Sequence, residues 1–316
     1  MGYPIHPMST AAPKKSFTDE FVATWRALPD KKLFIAMLLA WLALFHFLGN
    51  SALGFIKTQS LFGWLWFVWE TSADDQYGML VPFVVAYLFW DRRAEFLAVP
   101  KRNWWPALTL VVAGLLLHLL GFAVHQTRLS GAGFFLGLFG LTGLVWGWAW
   151  LRASFFPFFV FGFCLPLATI IEPLSQPLRG GVAKSVVALA RIGGADVQRV
   201  GTQIFDAAHT FNYDIVPACS GIRSVTMMFA LTVIYGFMSF QTWWRRGVML
   251  AAAIPLALAG NVIRLTLVIF ISELFGQDAG SWVEQKLGFL TFLIALGCVI
   301  GLARLLREKP APEAAK

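Results

Sequence analysis

Apolar residues fill this chain in long blocks, broken by short polar and charged stretches. A helix that crosses the hydrocarbon of a bilayer needs about 20 mostly apolar residues. Eight segments meet that requirement: 33–54, 78–98, 104–125, 132–151, 154–172, 219–240, 247–271 and 285–305. The third, WWPALTLVVAGLLLHLLGFAV, is the plainest. The fifth, SFFPFFVFGFCLPLATII, carries two prolines, which membrane helices tolerate better than soluble ones. The pattern predicts an all-α, polytopic integral membrane protein with about eight transmembrane helices. Residues 1–32 read as a polar leader, partly disordered, 33–305 as the transmembrane domain, and 306–316 as a solvated tail.

The placement of charge orients these spans. Lys14, Lys15, Arg26, Lys31 and Lys32 precede the first span, and Arg92, Arg93, Lys101 and Arg102 follow the second. Arg152 follows the fourth, Arg245 and Arg246 the sixth, and Arg304, Arg307 and Lys309 the eighth. Every second loop is basic, which the positive-inside rule reads as cytoplasmic. Both termini are therefore expected in the cytoplasm, and the outer loops are 55–77, 126–131, 173–218 and 272–284. Within the third of these, RGGVAKSVVALARIGG reads as an interfacial amphipathic helix. VQRVGTQIFDAAHTFNYDIV reads as a short strand or hairpin. The chain shows no inverted repeat of the kind transporters carry.

Composition agrees with lipid as the solvent. Hydrophobic residues make up 58% of the chain and charged residues 13%, about half the charged share of a soluble domain. The net charge of +8 sits in short loops and not on a basic stripe, so nucleic acid is not expected as a partner. The three cysteines, Cys164, Cys219 and Cys298, form neither a disulfide framework nor metal-ligand spacing. No metal or other cofactor is expected. No apolar core precedes Leu33, so the N-terminus does not read as a cleavable signal peptide.

Chemistry concentrates in three separated stretches. DIVPACSGIRSV places Cys219 at the outer end of the sixth span, with Ser220 beside it and Arg223 four residues on. AGNVIRL places Arg264 inside the seventh span, with Asn261 three residues earlier on the same helical face. An Arg within a span is costly unless it faces a polar cavity or a partner, which makes a functional site the default reading. SWVEQKLGF brings Glu284 to the outer start of the eighth span. Nearby cations favour a thiolate over a thiol. A guanidinium can stabilise the oxyanion of a tetrahedral acyl intermediate. Such a site could break a peptide bond and hold the acyl group as a thioester.

VPACSGIRS, GNVIRL and the glycine and phenylalanine of GFLTF closely resemble the exosortase/archaeosortase family. The resemblance extends to YGMLVPFVVAYLFWDRR and FPFFVFGFCLPL, and covers about Gly63 to Arg304. It implies a polytopic enzyme of the bacterial inner membrane with a Cys/Arg/His triad facing the outer side. The implied substrate is a secreted protein bearing a C-terminal sorting signal of short motif, apolar helix and basic tail, the PEP-CTERM type. By the same resemblance Cys219 is the nucleophile and Arg264 the triad arginine. The third position departs from the family: Glu284 stands where the His is expected, four residues before Gly288, and Tyr77 stands before Gly78 where the early motif has another His. Carboxylic acids titrate about four units below thiols, so a Glu is intrinsically a weak base here. His209, ten residues before Cys219, is an alternative base, and a catalytically weakened homologue is a third reading.

Blander roles compete with each assignment. Cys164 and Cys298 sit mid-span and read as packing thiols. Arg223 could pair with Asp214, Asn261 could bridge helices, Glu284 could be solvated at a span end, and Ser220 and Ser224 could bond backbone. His46, His118 and His125 could in principle ligate haem, but they lack a paired repeat and read as packed or interfacial. A transporter using Arg264 and Glu284 as a charge pair is the competing function, and it leaves Cys219 unexplained. The expected partners are the substrate's sorting-signal helix and membrane lipid. The stretch 180–195 is expected to roof the site.

Overall fold

A computed structural model of the chain describes residues 16–49, 59–72, 74–206, 211–214 and 222–306. Twelve α-helices occupy most of these residues. Three are long and apolar enough to cross a membrane: Trp105–Ala123, Thr127–Trp146 and Trp243–Phe275. Val81–Asp91, Trp148–Cys164, Thr226–Ser239 and Leu293–Leu305 are shorter apolar helices. These seven fall one each in the second to eighth expected segments, and α2 (Lys31–Phe47) falls in the first.

The tightest packing joins α6 (Leu108–Ala123) to α7 (Thr127–Trp146). The sequence places small residues along both contact faces, which lets membrane helices approach to backbone contact. A Cβ on Gly114 would stand 2.6 Å from the Gly133 carbonyl oxygen. Beside this contact, Trp41 of α2 lies over Gly137, and its indole N–H donates to the Phe134 carbonyl at 3.1 Å. α7 ends at Gly147, whose φ of +89° favours a residue without a side chain. α8 (Trp148–Phe161) starts on the next residue.

Basic loops gather at the Gly147 end of the bundle. The Arg102 carbonyl lies against Gly147, and the Trp146 indole donates to the Pro29 carbonyl at 3.1 Å. α1 (Phe17–Ala27), within the leader, is fastened to the same end. Glu20 accepts a 2.7 Å bond from Arg93 at the start of α5 (Arg93–Ala98), and Phe17 packs on Trp90 at 4.7 Å. Trp90 belongs to α4 (Val81–Asp91). Arg92 is close enough to Arg246 to repel it. The Gly147 end is thus the end that the alternation of charge assigns to the cytoplasm.

At the opposite end the structure replaces expected loops with helix. The stretch read as loop 55–77 contains α3 (Leu61–Thr71), capped by Ser60, whose hydroxyl accepts from the Gly63 amide at 3.3 Å. Leu61 and Leu65 are buried, so packing stabilises a helix too short to span. The loop 126–131 shrinks to a corner at His125, because α7 already begins at Thr127. The loop 272–284 is absent. α11 (Trp243–Phe275) runs on to Gly276, which turns the chain at φ +88°, and α12 (Gln277–Leu305) follows at once. At 33 residues α11 is about 50 Å long, well beyond a hydrocarbon core of about 30 Å. Its last turns can carry Ser272 and Glu273 because they stand past the lipid.

The third outer stretch is also more ordered than a loop. α9 (Ala168–Ile192) runs through it as one helix despite Pro173 and Pro177. Three antiparallel strands follow in sequence order: β1 (Val197–Val200), β2 (Gln203–Asp206) and β3 (Asn212–Asp214). The expected hairpin is present, with Val197 opposite Asp206, and a third strand pairs Asp214 with Gln203. This small sheet is the departure from an all-α fold. Val182, Ala183, Val186, Val187 and Ala190 form the buried face of α9. They pack with Val197, Ile204 and Phe211 of the sheet region and with Leu265 and Ile269 of α11.

Candidate functional site

The last three helices place Ile222, Arg264 and Glu284 toward one end. α10 (Ile222–Ser239) and α11 meet at a short turn around residue 241, where Arg246 donates two bonds to the Phe240 carbonyl, at 2.9 and 2.6 Å. Counting equal rises from that turn, Ile222 stands level with residue 260. The α11–α12 hairpin counts in the same way from Gly276. Ala257 and Ala295, each nineteen residues from it, share one buried cluster with Met249 and Ala303. On that scale Arg264 is level with Gly288. Glu284 lies one turn, about 6 Å, nearer the tip.

Arg264 is half-buried, and its Nε is fully enclosed with no hydrogen-bond partner among the described residues. Asn261, one turn earlier, is buried. The neighbouring Leu265 packs into the α9–sheet core, so the helix is fixed on both sides of the guanidinium. An enclosed N–H without an acceptor is costly. The cost is offset when a ligand or reacting group supplies the acceptor.

The β3 strand is pinned beside this hairpin. The Tyr213 hydroxyl donates to the Gln277 carbonyl at 3.0 Å. The Ser272 hydroxyl lies 2.9 Å from the Tyr213 oxygen and 2.8 Å from the Val268 carbonyl, and its one proton serves one of them at a time. Gly280 faces both hydroxyls too closely for any side chain. The chain therefore leaves β3 at Asp214 beside the tip of the hairpin and re-enters the described structure at Ile222, level with residue 260. Cys219, Ser220 and His209 lie outside the described residues, as do the side chains of Arg223 and Ser224. Glu284, in α12, is half-buried.

Two groups of polar residues lie outside the site that the sequence predicts. The first lies where α3, α4 and α7 meet. Asp75 is buried and accepts from the Ser72 hydroxyl at 2.9 Å. The Tyr77 hydroxyl and Arg128 Nε are enclosed without a hydrogen-bond partner among the described residues, and Asp75 interacts electrostatically with both. Burial first, and then the Asp75 charge, push the Tyr77 phenol well above its ordinary range. Arg128 was legible as a basic residue in an expected outer loop, against the alternation of charge. The second group is Lys184, Arg191 and Arg199 on α9 and β1.

Of the thiols and histidines read as packing groups, Cys164 and His118 are packed, whereas Cys298 is exposed. His118 is buried beside Phe45, with ring centroids 4.6 Å apart, and His46 Nδ1 lies 3.1 Å from the Ser60 hydroxyl. Cys164 is buried in the α4–α8–α10 core, and its carbonyl accepts from the Trp69 indole at 2.9 Å. A cavity of about 530 Å³ opens at the Gly147 end, lined by aromatic residues such as Phe21, Phe34, Trp90 and Trp146. Its lining is mostly aromatic and aliphatic, with Thr24, Thr142 and Arg93 as the polar members.

No curated protein and no solved structure matches the chain significantly. The family model described as transmembrane exosortase does match, over residues 69–301. That range runs from Trp69, against the Tyr77 cluster, to the last turns of α12, and takes in Cys219, Arg264 and Glu284. By that match over most of its length, the chain belongs to the transmembrane exosortases, a family of membrane sorting transpeptidases.

Proposed function

We propose that the protein is a membrane-embedded cysteine endopeptidase or transpeptidase. Its substrates are secreted proteins that still carry a C-terminal anchor helix, and Cys219 is the nucleophile. The observation that carries the reading is the Nε of Arg264, enclosed without a partner among the described residues, one turn (about 6 Å) from the level at which the chain bearing Cys219 enters α10. A guanidinium there is a donor without an acceptor, at the depth where an oxyanion would form.

The steps balance on the chain's own groups. A base takes the thiol proton, and the thiolate attacks the scissile carbonyl to give a tetrahedral oxyanion that Arg264 binds. Collapse breaks the C–N bond, and the base returns the proton to the leaving amine. The acyl group stays on sulfur as a thioester until water or an acceptor amine displaces it. Glu284 serves as base or as orienter of the base from one turn above Arg264, and His209 is the other candidate base. Arg223, Asn261 and Ser220 support the site. The helical stretch 180–192 of α9 flanks it through Leu265. The enzyme acts at the plasma-membrane surface opposite the basic loops.

The test is substrate processing in membranes, with a thiol-directed probe to trap the acyl-enzyme. Wild type should give a thioester adduct, and Cys219→Ala should give neither adduct nor cleavage. Unaltered cleavage by Cys219→Ala would end the proposal. Glu284→Gln assayed beside His209→Ala identifies the base, because loss should fall on one of the two.

A further inference from the structure

Three cations on the outward face of α9 and on β1 have no role in that chemistry. Lys184, Arg191 and Arg199 surround a groove of about 330 Å³ that is completed by Val187 and Ala188. Lys184 and Arg191 lie seven residues apart on one helical face, about 10 Å along the axis. Two of the cations are held in place. Arg191 Nε donates to the Val197 carbonyl at 3.0 Å, and Arg199 donates to the Gly201 carbonyl at 2.6 Å. Each guanidinium keeps further N–H donors beyond that one bond. Among the described residues no carboxylate lies within 4.0 Å of any of the three.

Depth and surroundings narrow the ligand. Arg246 marks the Gly147 end of α11, and Phe270 lies twenty-four residues on, about 36 Å along the helix. That is just past a hydrocarbon core of about 30 Å, at the level of lipid headgroups. Gly193, at the end of α9, sits against the Phe270 ring with no room for a Cβ. The groove is therefore at headgroup depth. Apolar residues next to its lining in sequence are bare: Leu189, Ile192 and Val200 are 44%, 83% and 65% exposed. A soluble anion would need only the cations. Aliphatic side chains beside them suit a ligand that is anionic at one end and greasy at the other.

We infer that Lys184, Arg191 and Arg199 form a binding site for the phosphate headgroup of an anionic phospholipid in the leaflet opposite the basic loops. The bound lipid would seat α9 and the sheet on the membrane surface next to Arg264. The inference does not depend on the catalytic role of Cys219.

The test uses the full-length protein in detergent, offered phosphatidylglycerol and phosphatidylcholine together, with retained lipids counted by native mass spectrometry. Wild type should retain phosphatidylglycerol preferentially. Lys184→Ala, which disturbs no hydrogen bond among the described residues, should lower the preference about fivefold, the effect of one surface cation. The combined Lys184→Ala, Arg191→Ala, Arg199→Ala variant should abolish it. Arg191→Lys with Arg199→Lys should keep most of it, which separates charge from fold. Equal retention of the two lipids by wild type, or an undiminished preference in the combined variant, would overturn the inference. Displacement of the lipid by millimolar inorganic phosphate would reassign the groove to a soluble anion, and displacement by polyglutamate to an acidic protein segment. Either result would overturn the lipid assignment.

Discussion

Cations at the Gly147 end and at the Gly276 end meet different company. At the first, Arg92 pairs with Glu95 at 2.6 Å, and Arg93 pairs with Glu20 while lying 4.4 Å over the Trp90 ring. Arg246 caps the Phe240 carbonyl and lies 4.3 Å over Phe237. These charges complete structure and orient the chain in the bilayer. At the second end, Arg128 and Arg264 keep an enclosed N–H without an acceptor among the described residues, and no described carboxylate lies within 4.0 Å of Lys184, Arg191 or Arg199. Most of the arginines at the first end are paired, although the Arg245 Nε there is enclosed in the same way as those of Arg128 and Arg264.

That contrast can be tested in descending order of effect. Cys219→Ala should lower substrate cleavage by roughly a thousandfold or more, with an unchanged melting curve. Arg264→Gln should cost about a hundred- to a thousandfold in kcat, as loss of one oxyanion donor does, again without loss of thermal stability. A large fall in melting temperature for Arg264→Gln would make that arginine structural and erase the distinction. Tyr77→Phe removes an enclosed hydroxyl that has no partner among the described residues, so it should leave stability unchanged or raise it by about 1 kcal/mol. A drop in cleavage rate on that change would bring the Asp75–Tyr77–Arg128 cluster into the reaction. Glu20→Gln, at the opposite end, should leave cleavage alone and lower stability by about 1 kcal/mol or less, since the pair with Arg93 is partly exposed.

The smallest effect is a slope with pH. Burial holds the Lys101 ammonium below its ordinary range. The folded state thus favours the neutral amine, and the unfolded chain binds more protons between the two titrations. Stability should rise as pH rises through the folded value toward the ordinary lysine range. Lys101→Met should flatten that rise in melting curves taken between neutral and strongly alkaline pH.

The sequence reveals what long apolar blocks can reveal and little of what short ones do. Leu108–Ala123 and Trp243–Phe275 are each apolar for long enough that lipid alone explains them. α3 is hidden because eleven residues of LFGWLWFVWET cannot cross a bilayer, and only the burial of Leu61 and Leu65 shows what stabilises it. The breaks at Gly147 and Gly276 leave no polar loop to mark them, so span edges shift by about a turn, and the loop expected at 272–284 turns out to be helix on both sides. Within the site, Arg264 announces itself as a charge inside an apolar run. Arg128 does so only as a breach of charge alternation, Tyr77 only as a departure from the family's early His motif, and Asp75 not at all, because their significance lies in which atoms the fold encloses. The roles of Cys219 and Glu284 come from the motif resemblance, and the mutational tests above decide them.

The glycine contact between α6 and α7 has a mechanical consequence. Where one main chain rests on the other, no side chain is available to swing aside, so that seam opens only if the two helices move apart as whole bodies. Any opening that admits a foreign helix must run along a seam cushioned by rotatable side chains. The boundary between α8 and α10, where Phe156 and Phe237 stack at 4.4 Å, is of that kind. If a substrate helix enters the bundle as proposed, it would come by that side.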